Sequence, residues 1–130
     1  MSEQTPRIRR QAVPDDAHLV VRGDEDPEVQ ERMARAFLRR YPSWGRYGLS
    51  GYHAKGDEDV DLLCRVELIR FPFVVVLSRA QLEEAVEIVP TGHRPHVTLA
   101  SADLAALLAS VAAATDRRAN PYHVSERSRP

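Results

Sequence analysis

The run Phe73-Val74-Val75-Val76-Leu77 constrains the fold most. It is five consecutive apolar residues with no polar position to turn toward solvent. A half-exposed strand alternates apolar with polar, whereas an uninterrupted run belongs to a central strand covered on both faces. A chain built around it must bring other elements against a sheet to bury that strand. At 130 residues, 43% hydrophobic and 28% charged, the chain has material for one domain with one real core.

The flanking segments supply those elements. Residues 17–22 are short and β-branched, which suits a strand, and Gly23 ends it. Asp26-Pro27-Glu28 is a helix start: an N-cap aspartate, proline at the first helical position and a carboxylate in the first turn. Val29, Met33 and Phe37 recur at i, i+4 and i+8, which predicts an apolar face. Arg39 and Arg40 suit the negative end of the helix dipole, and Pro42 bars continuation. Residues 46–53 alternate as a strand whose Gly48 and Gly51 suggest close approach by another backbone or a ligand. Residues 57–69 have a helical pattern, with Val60, Leu63 and Cys64 on one side and Asp57, Glu58 and Asp59 at the N-terminus.

Ser78-Arg79-Ala80-Gln81 is a capping-box pattern that predicts a short helix to about residue 85. Residues 86–89 and 96–100 read as two strands, antiparallel because their link is too short for a crossover. Ser101 is expected to cap a last helix with Leu104, Leu107, Leu108 and Val111 on its buried stripe, ending over residues 115–119. Asn120-Pro121-Tyr122-His123 is expected to dock back on the body. The predicted order is β-α-β-α-β-α-β-β-α, an α/β or α+β domain. It has a mixed sheet of about five strands with helices packed on it, in two or three layers. The domain covers residues 16–123, and residues 1–15 and 124–130 read as flexible tails.

A net charge of −1 argues against a nonspecific DNA-coating protein. The single cysteine, Cys64, excludes an internal disulfide framework, fits a reducing compartment, and leaves no disulfide-linked partner expected. The segment around Arg7, Arg9 and Arg10 has no apolar core, so it does not read as a signal peptide. No apolar run approaches the roughly 20 residues that span a bilayer. A cytoplasmic location with no membrane partner is the expectation. Lys55 is the only lysine, a bias typical of high-GC genomes.

Functional groups are densest in Thr91-Gly92-His93-Arg94-Pro95-His96-Val97-Thr98-Leu99, where a tight turn runs into a strand. His96-Val97-Thr98 resembles the H-x-T motif of two-histidine phosphoesterases. That resemblance implies one histidine as general acid, another as general base and hydroxyls on phosphate oxygens. The upstream counterpart would be His18-Leu19-Val20-Val21, in which Val20 stands where the motif has a hydroxyl. His18 to Gly23 with Tyr47-Gly48-Leu49-Ser50 also resembles small ADP-ribosyltransferase-like folds. There Arg22 would clamp a pyrophosphate, Ser50 would position it and Glu87 would orient the ribose.

His93 and His96 with His53, His123 or Cys64 have zinc-ligand chemistry, but their spacing crosses a proline turn, so no metal is expected. Across most of the ordered chain the string is similar to small proteins of high-GC Gram-positive bacteria. Such proteins are often one half of a toxin–antitoxin pair. The leading expectation is a phosphate- or nucleotide-binding site. His18 and His96 are the acid–base pair, Arg22, Ser50 and Thr98 hold the ligand, and there is no cofactor. A nucleotide or RNA is the ligand, and phosphodiester- or nucleotide-acting chemistry of toxin type is the activity. The alternative is a non-catalytic antitoxin or adaptor, in which structural histidines accompany an arginine-rich first helix that meets a protein partner.

Overall fold

The computed structural model describes residues 5–123. Its elements are β1 (Leu19–Gly23), α1 (Pro27–Arg40), β2 (Tyr47–Ala54), α2 (Asp57–Arg65), β3 (Phe73–Ser78), β4 (Glu87–Pro90), β5 (His96–Ser101), α3 (Leu104–Ala112) and β6 (Asp116–Ala119). A single 3-10 turn, Arg79–Gln81, links β3 to β4. The fold is α+β: one six-stranded sheet in the order β4-β5-β2-β1-β3-β6, every neighbouring pair antiparallel. The sequence predicts a mixed sheet of about five strands, so both the count and the strand sense are corrected.

The apolar run takes the place its composition demands. In β3, Val74 and Val76 join a cluster with Val60, Leu63, Cys64 and Leu68 of the α2 region, while Leu77 joins a second cluster with Leu107 and Val111 of α3. The two clusters lie on opposite faces, because strand side chains alternate. Val20 and Val21 of β1 divide between them in the same way. Each buried valine or leucine contributes about 1.5–3 kcal/mol of transfer free energy.

Several predicted elements change. The expected helix at 80–85 is only the 3-10 turn, although its capping box forms: the Ala80 amide donates to Ser78 Oγ (3.3 Å) and the Ser78 amide to Gln81 Oε1 (2.9 Å). The final helix is capped not by Ser101 but by Asp103, whose Oδ1 accepts from the Ala106 amide at 3.1 Å. Ser101 ends β5, and its Oγ accepts from the Asp103 amide. The stretch expected to end that helix instead forms β6, paired on the outside of β3. Its Asp-Arg-Arg-Ala sequence is the charged edge that discourages further strand pairing.

Residues 7–9, expected within a flexible tail, run beside the β4–β5 turn. Ile8 bridges to Thr91, the Arg9 amide donates to the Pro90 carbonyl, and the Gly92 amide donates to the Arg7 carbonyl. The other expected tail, residues 124–130, lies outside the described residues. Among the described residues no helix is long and apolar enough to cross a membrane.

The glycines of β2 make room chiefly for side chains, with the Val21 carbonyl oxygen also 3.5 Å from where a Cβ at Gly51 would stand. A Cβ at Gly48 would stand 2.6 Å from the Phe37 ring, and one at Gly51 would stand 2.8 Å from Val20 and 3.3 Å from the Arg22 stem. The segment after β6 docks as expected. Asn120 Nδ2 donates to the carbonyls of Cys64 and Leu68, both at 3.0 Å, and its Oδ1 accepts from the Tyr122 amide. This buried amide satisfies carbonyls left open where α2 stops. Asn120→Ala is therefore expected to cost about 2 kcal/mol, read from urea unfolding, because buried acceptors lose their donor. Tyr122→Phe breaks only the exposed bond to Asp61 and should cost less than half as much.

Candidate functional site

Strand β4 ends at Pro90 and β5 begins at His96, so residues 91–95 must reverse the chain. Gly92 sits at φ +63°, a left-handed conformation that glycine adopts without a Cβ clash. Register places Thr98 between Ser50 of β2 and Val89 of β4. Thr91 Oγ1 lies 2.7 Å from Thr98 Oγ1 and 3.0 Å from His96 Nδ1, and the Thr91 carbonyl is also 3.0 Å from Nδ1. A carbonyl can only accept, so Nδ1 carries the hydrogen and Nε2 keeps its lone pair. Arg9 donates through one nitrogen to the carbonyls of Thr91 (2.7 Å) and His96 (2.5 Å), clasping both ends of the turn. The Tyr52 ring meets His96 edge-on, centroids 5.3 Å apart.

A cavity of about 460 Å³ opens beside this turn. Its polar lining is Arg7, Arg40, Ser50, Thr91, His96 and Thr98, with no carboxylate. The apolar lining comes mainly from α1 and β2: Met33, Ala36, Phe37, Tyr41, Gly48 and Leu49. The predicted apolar stripe of Val29, Met33 and Phe37 is not the buried face of α1. Gln30 and Ala34 are the buried positions of α1, whereas Met33 is 40% exposed and lines the cavity. Phe37 meets Tyr41 at a tilt, centroids 5.0 Å apart, and Trp44 edge-on at 5.7 Å, so this aromatic wall is braced.

Of the five residues singled out in the sequence, Ser50, His96 and Thr98 line one cavity. Arg22 is not among its lining residues. It is 2% exposed, bonded through one nitrogen to the Ser50 carbonyl, with its second amino nitrogen in an ion pair with Glu25 at 3.6 Å; neither that nitrogen nor Nε has a hydrogen-bond partner. Burial pulls its pKa down. It supports the strand under Ser50 through that carbonyl.

His18 is also outside the cavity lining. It precedes β1, is exposed, and offers its carbonyl to the Arg79 amide. β2 separates β1 from β5, so the two predicted histidines are not brought together. Glu87 is paired at 2.8 Å with Arg46. Among the described residues, no group of three or more His, Cys, Asp or Glu is placed to hold a metal ion. Cys64 is a buried core thiol whose pKa is raised, first by burial and then by Asp61.

A second cavity, about 370 Å³, borders the other side of the turn and includes His53, Lys55, Asp59, Glu67, Arg94 and Pro95. His53 is 8% exposed. Burial, then Arg9 and Arg94, hold its pKa below the ordinary value of 6.5, and burial followed by Arg9 does the same for His96. The unfolded chain thus binds more protons than the folded one just below pH 6.5. Their contribution to stability is complete above about pH 6.5 and is lost as pH falls toward the folded-state values. Urea midpoints measured from pH 8 to 5 should decline on the acid side, and less steeply in His53→Asn.

The residues missed from the sequence are Arg7, Thr91, Arg40 and the α1 stripe. Thr91 stood within the quoted turn, but its hydroxyl gains meaning only when register sets it against Thr98. In the sequence Arg7 reads as part of a flexible tail and Arg40 as a complement to the helix dipole. No family model matches this chain, and neither a curated protein nor a solved structure does.

Proposed function

We propose that the protein binds a small phosphate-bearing ligand with a flat apolar body, a nucleotide being the chemistry that fits, in the cavity between α1 and the 91–98 segment. The single observation that carries this is the division of the lining. Two arginines, an imidazole and three hydroxyls, without a carboxylate, face an aromatic and aliphatic wall. Binding sites with a largely apolar lining and a few convergent polar groups are built to orient a ligand.

Arg7 and Arg40 supply charge-assisted bonds to phosphate oxygens, and Ser50 and Thr98 supply hydroxyl donors. His96 Nε2, uncharged in the free protein, takes a proton when an anion arrives and then donates to it. Only one of the two predicted imidazoles lines this cavity, so the reading is one of binding, with His96 as the single proton acceptor. Isothermal titration calorimetry with AMP, adenosine and inorganic phosphate tests it. AMP should bind more tightly than either fragment, because only AMP uses both walls. Equal or absent heats for all three would overturn the reading.

A further inference from the structure

The two cavities meet at the 91–96 turn. His96 lines the first and Pro95 the second, and consecutive Cα atoms are about 3.8 Å apart. Across the sheet the His53 amide donates to the Pro95 carbonyl at 3.1 Å, which holds both residues of the second cavity against the turn that carries His96.

Positive charge gathers along this shared boundary. Arg9 clasps the turn and acts electrostatically on both imidazoles, and Arg94 acts on His53. Arg94 is exposed and has no carboxylate within ion-pair distance among the described residues. The second cavity differs from the first in carrying Asp59 and Glu67 beside His53. Carboxylates repel phosphate but accept from the exocyclic amino groups of adenine and cytosine.

We propose that the cavities are successive subsites for one single-stranded oligonucleotide: one nucleotide in the first, the next base in the second, and the intervening phosphate over Arg94. This rests on the nucleotide reading of the first cavity and extends it. A positively charged track with pockets for successive bases is the recurrent arrangement for single-strand binding.

Calorimetry with AMP, the dinucleotide pApA and its deoxy counterpart, at several salt concentrations, tests it. At least one dinucleotide should bind about tenfold more tightly than AMP, as one added base contact allows. The slope of log affinity against log salt should steepen by about 0.7 for the added phosphate. Arg94→Ala, shown folded by circular dichroism, should bring the ratio of the two affinities to about one. The sugar preferred by the tighter dinucleotide identifies its source as RNA or DNA.

Dinucleotides bound no better than AMP would overturn this inference and leave the first cavity's reading intact. A gain that survives Arg94→Ala would also overturn it. Failure of AMP and both dinucleotides to bind would remove the reading and the inference together.

Discussion

Arg22→Ala is expected to lower the unfolding free energy by about 3–5 kcal/mol, whereas Arg22→Met should cost far less. The guanidinium is 2% exposed in the centre of the sheet, bonded to the Ser50 carbonyl and ion-paired with Glu25 at 3.6 Å, with two nitrogens lacking a hydrogen-bond partner. Taking a charge from water is expensive, and a partly satisfied buried ion contributes little net stability. Truncation to alanine nevertheless opens a cavity against the Gly51 backbone and strips donors from groups that remain buried. Methionine refills the stem volume and removes the ion as well, so only the carbonyl and the half-buried Glu25 lose a partner. Urea unfolding of both variants separates these costs. Calorimetry with AMP on Arg22→Met then distinguishes support from contact, because a residue that only supports β2 leaves nucleotide affinity within about threefold of wild type. A hundredfold loss in a well-folded Arg22→Met protein would return Arg22 to the ligand.

Arg40→Glu should produce the largest loss of AMP affinity among the cavity variants, about 100-fold. Arg40 ends α1, and its guanidinium lies 5.2 Å from the Tyr41 ring centroid, which braces it at the cavity mouth. Hydrogen bonds to charged groups are each worth about 1.5–3 kcal/mol, and reversal adds repulsion of the phosphate. Arg40→Ala should lose about tenfold. Because the side chain is exposed, Arg40→Ala should leave the urea midpoint nearly unchanged, whereas Arg40→Glu, a carboxylate at the negative end of the helix dipole, should cost up to about 1 kcal/mol. Equal AMP affinities for wild type and Arg40→Glu would show that the phosphate does not lie between α1 and the turn.

Much of the fold was legible where one local rule had no competitor. Helix α1 opens at Pro27 after Asp26, although the Asp26 side chain makes no capping hydrogen bond; the five-residue apolar run is a strand buried on both faces, and the short link at 90–95 joins an antiparallel pair. Other elements were hidden for physical reasons. β6 has no apolar alternation, because its side chains serve a charged sheet edge, and Arg117 lies over the Phe73 ring at 3.8 Å. Ser101 and Asp103 are both competent caps two residues apart, and only the length of β5 decides between them.

The candidate site followed the same division. His96 and Thr98 were visible as neighbours on one strand, and Ser50 joined them through sheet register. His18 and Arg22 are not in the cavity lining: His18 precedes β1, which β2 separates from β5, and Arg22 is buried in β1. Met33 on an apolar helical stripe reads as core, since periodicity cannot say whether a face meets a sheet or a cavity. Arg7 needed the pairing of residues 7–9 with the turn before it could join any site.

The most direct measurement is an NMR pH titration of the histidine rings with and without saturating AMP. The account predicts that His96 titrates below the ordinary imidazole range in the free protein and moves upward when AMP binds. A His96 ring whose shifts and midpoint are indifferent to AMP, or a response centred on His18, would contradict it.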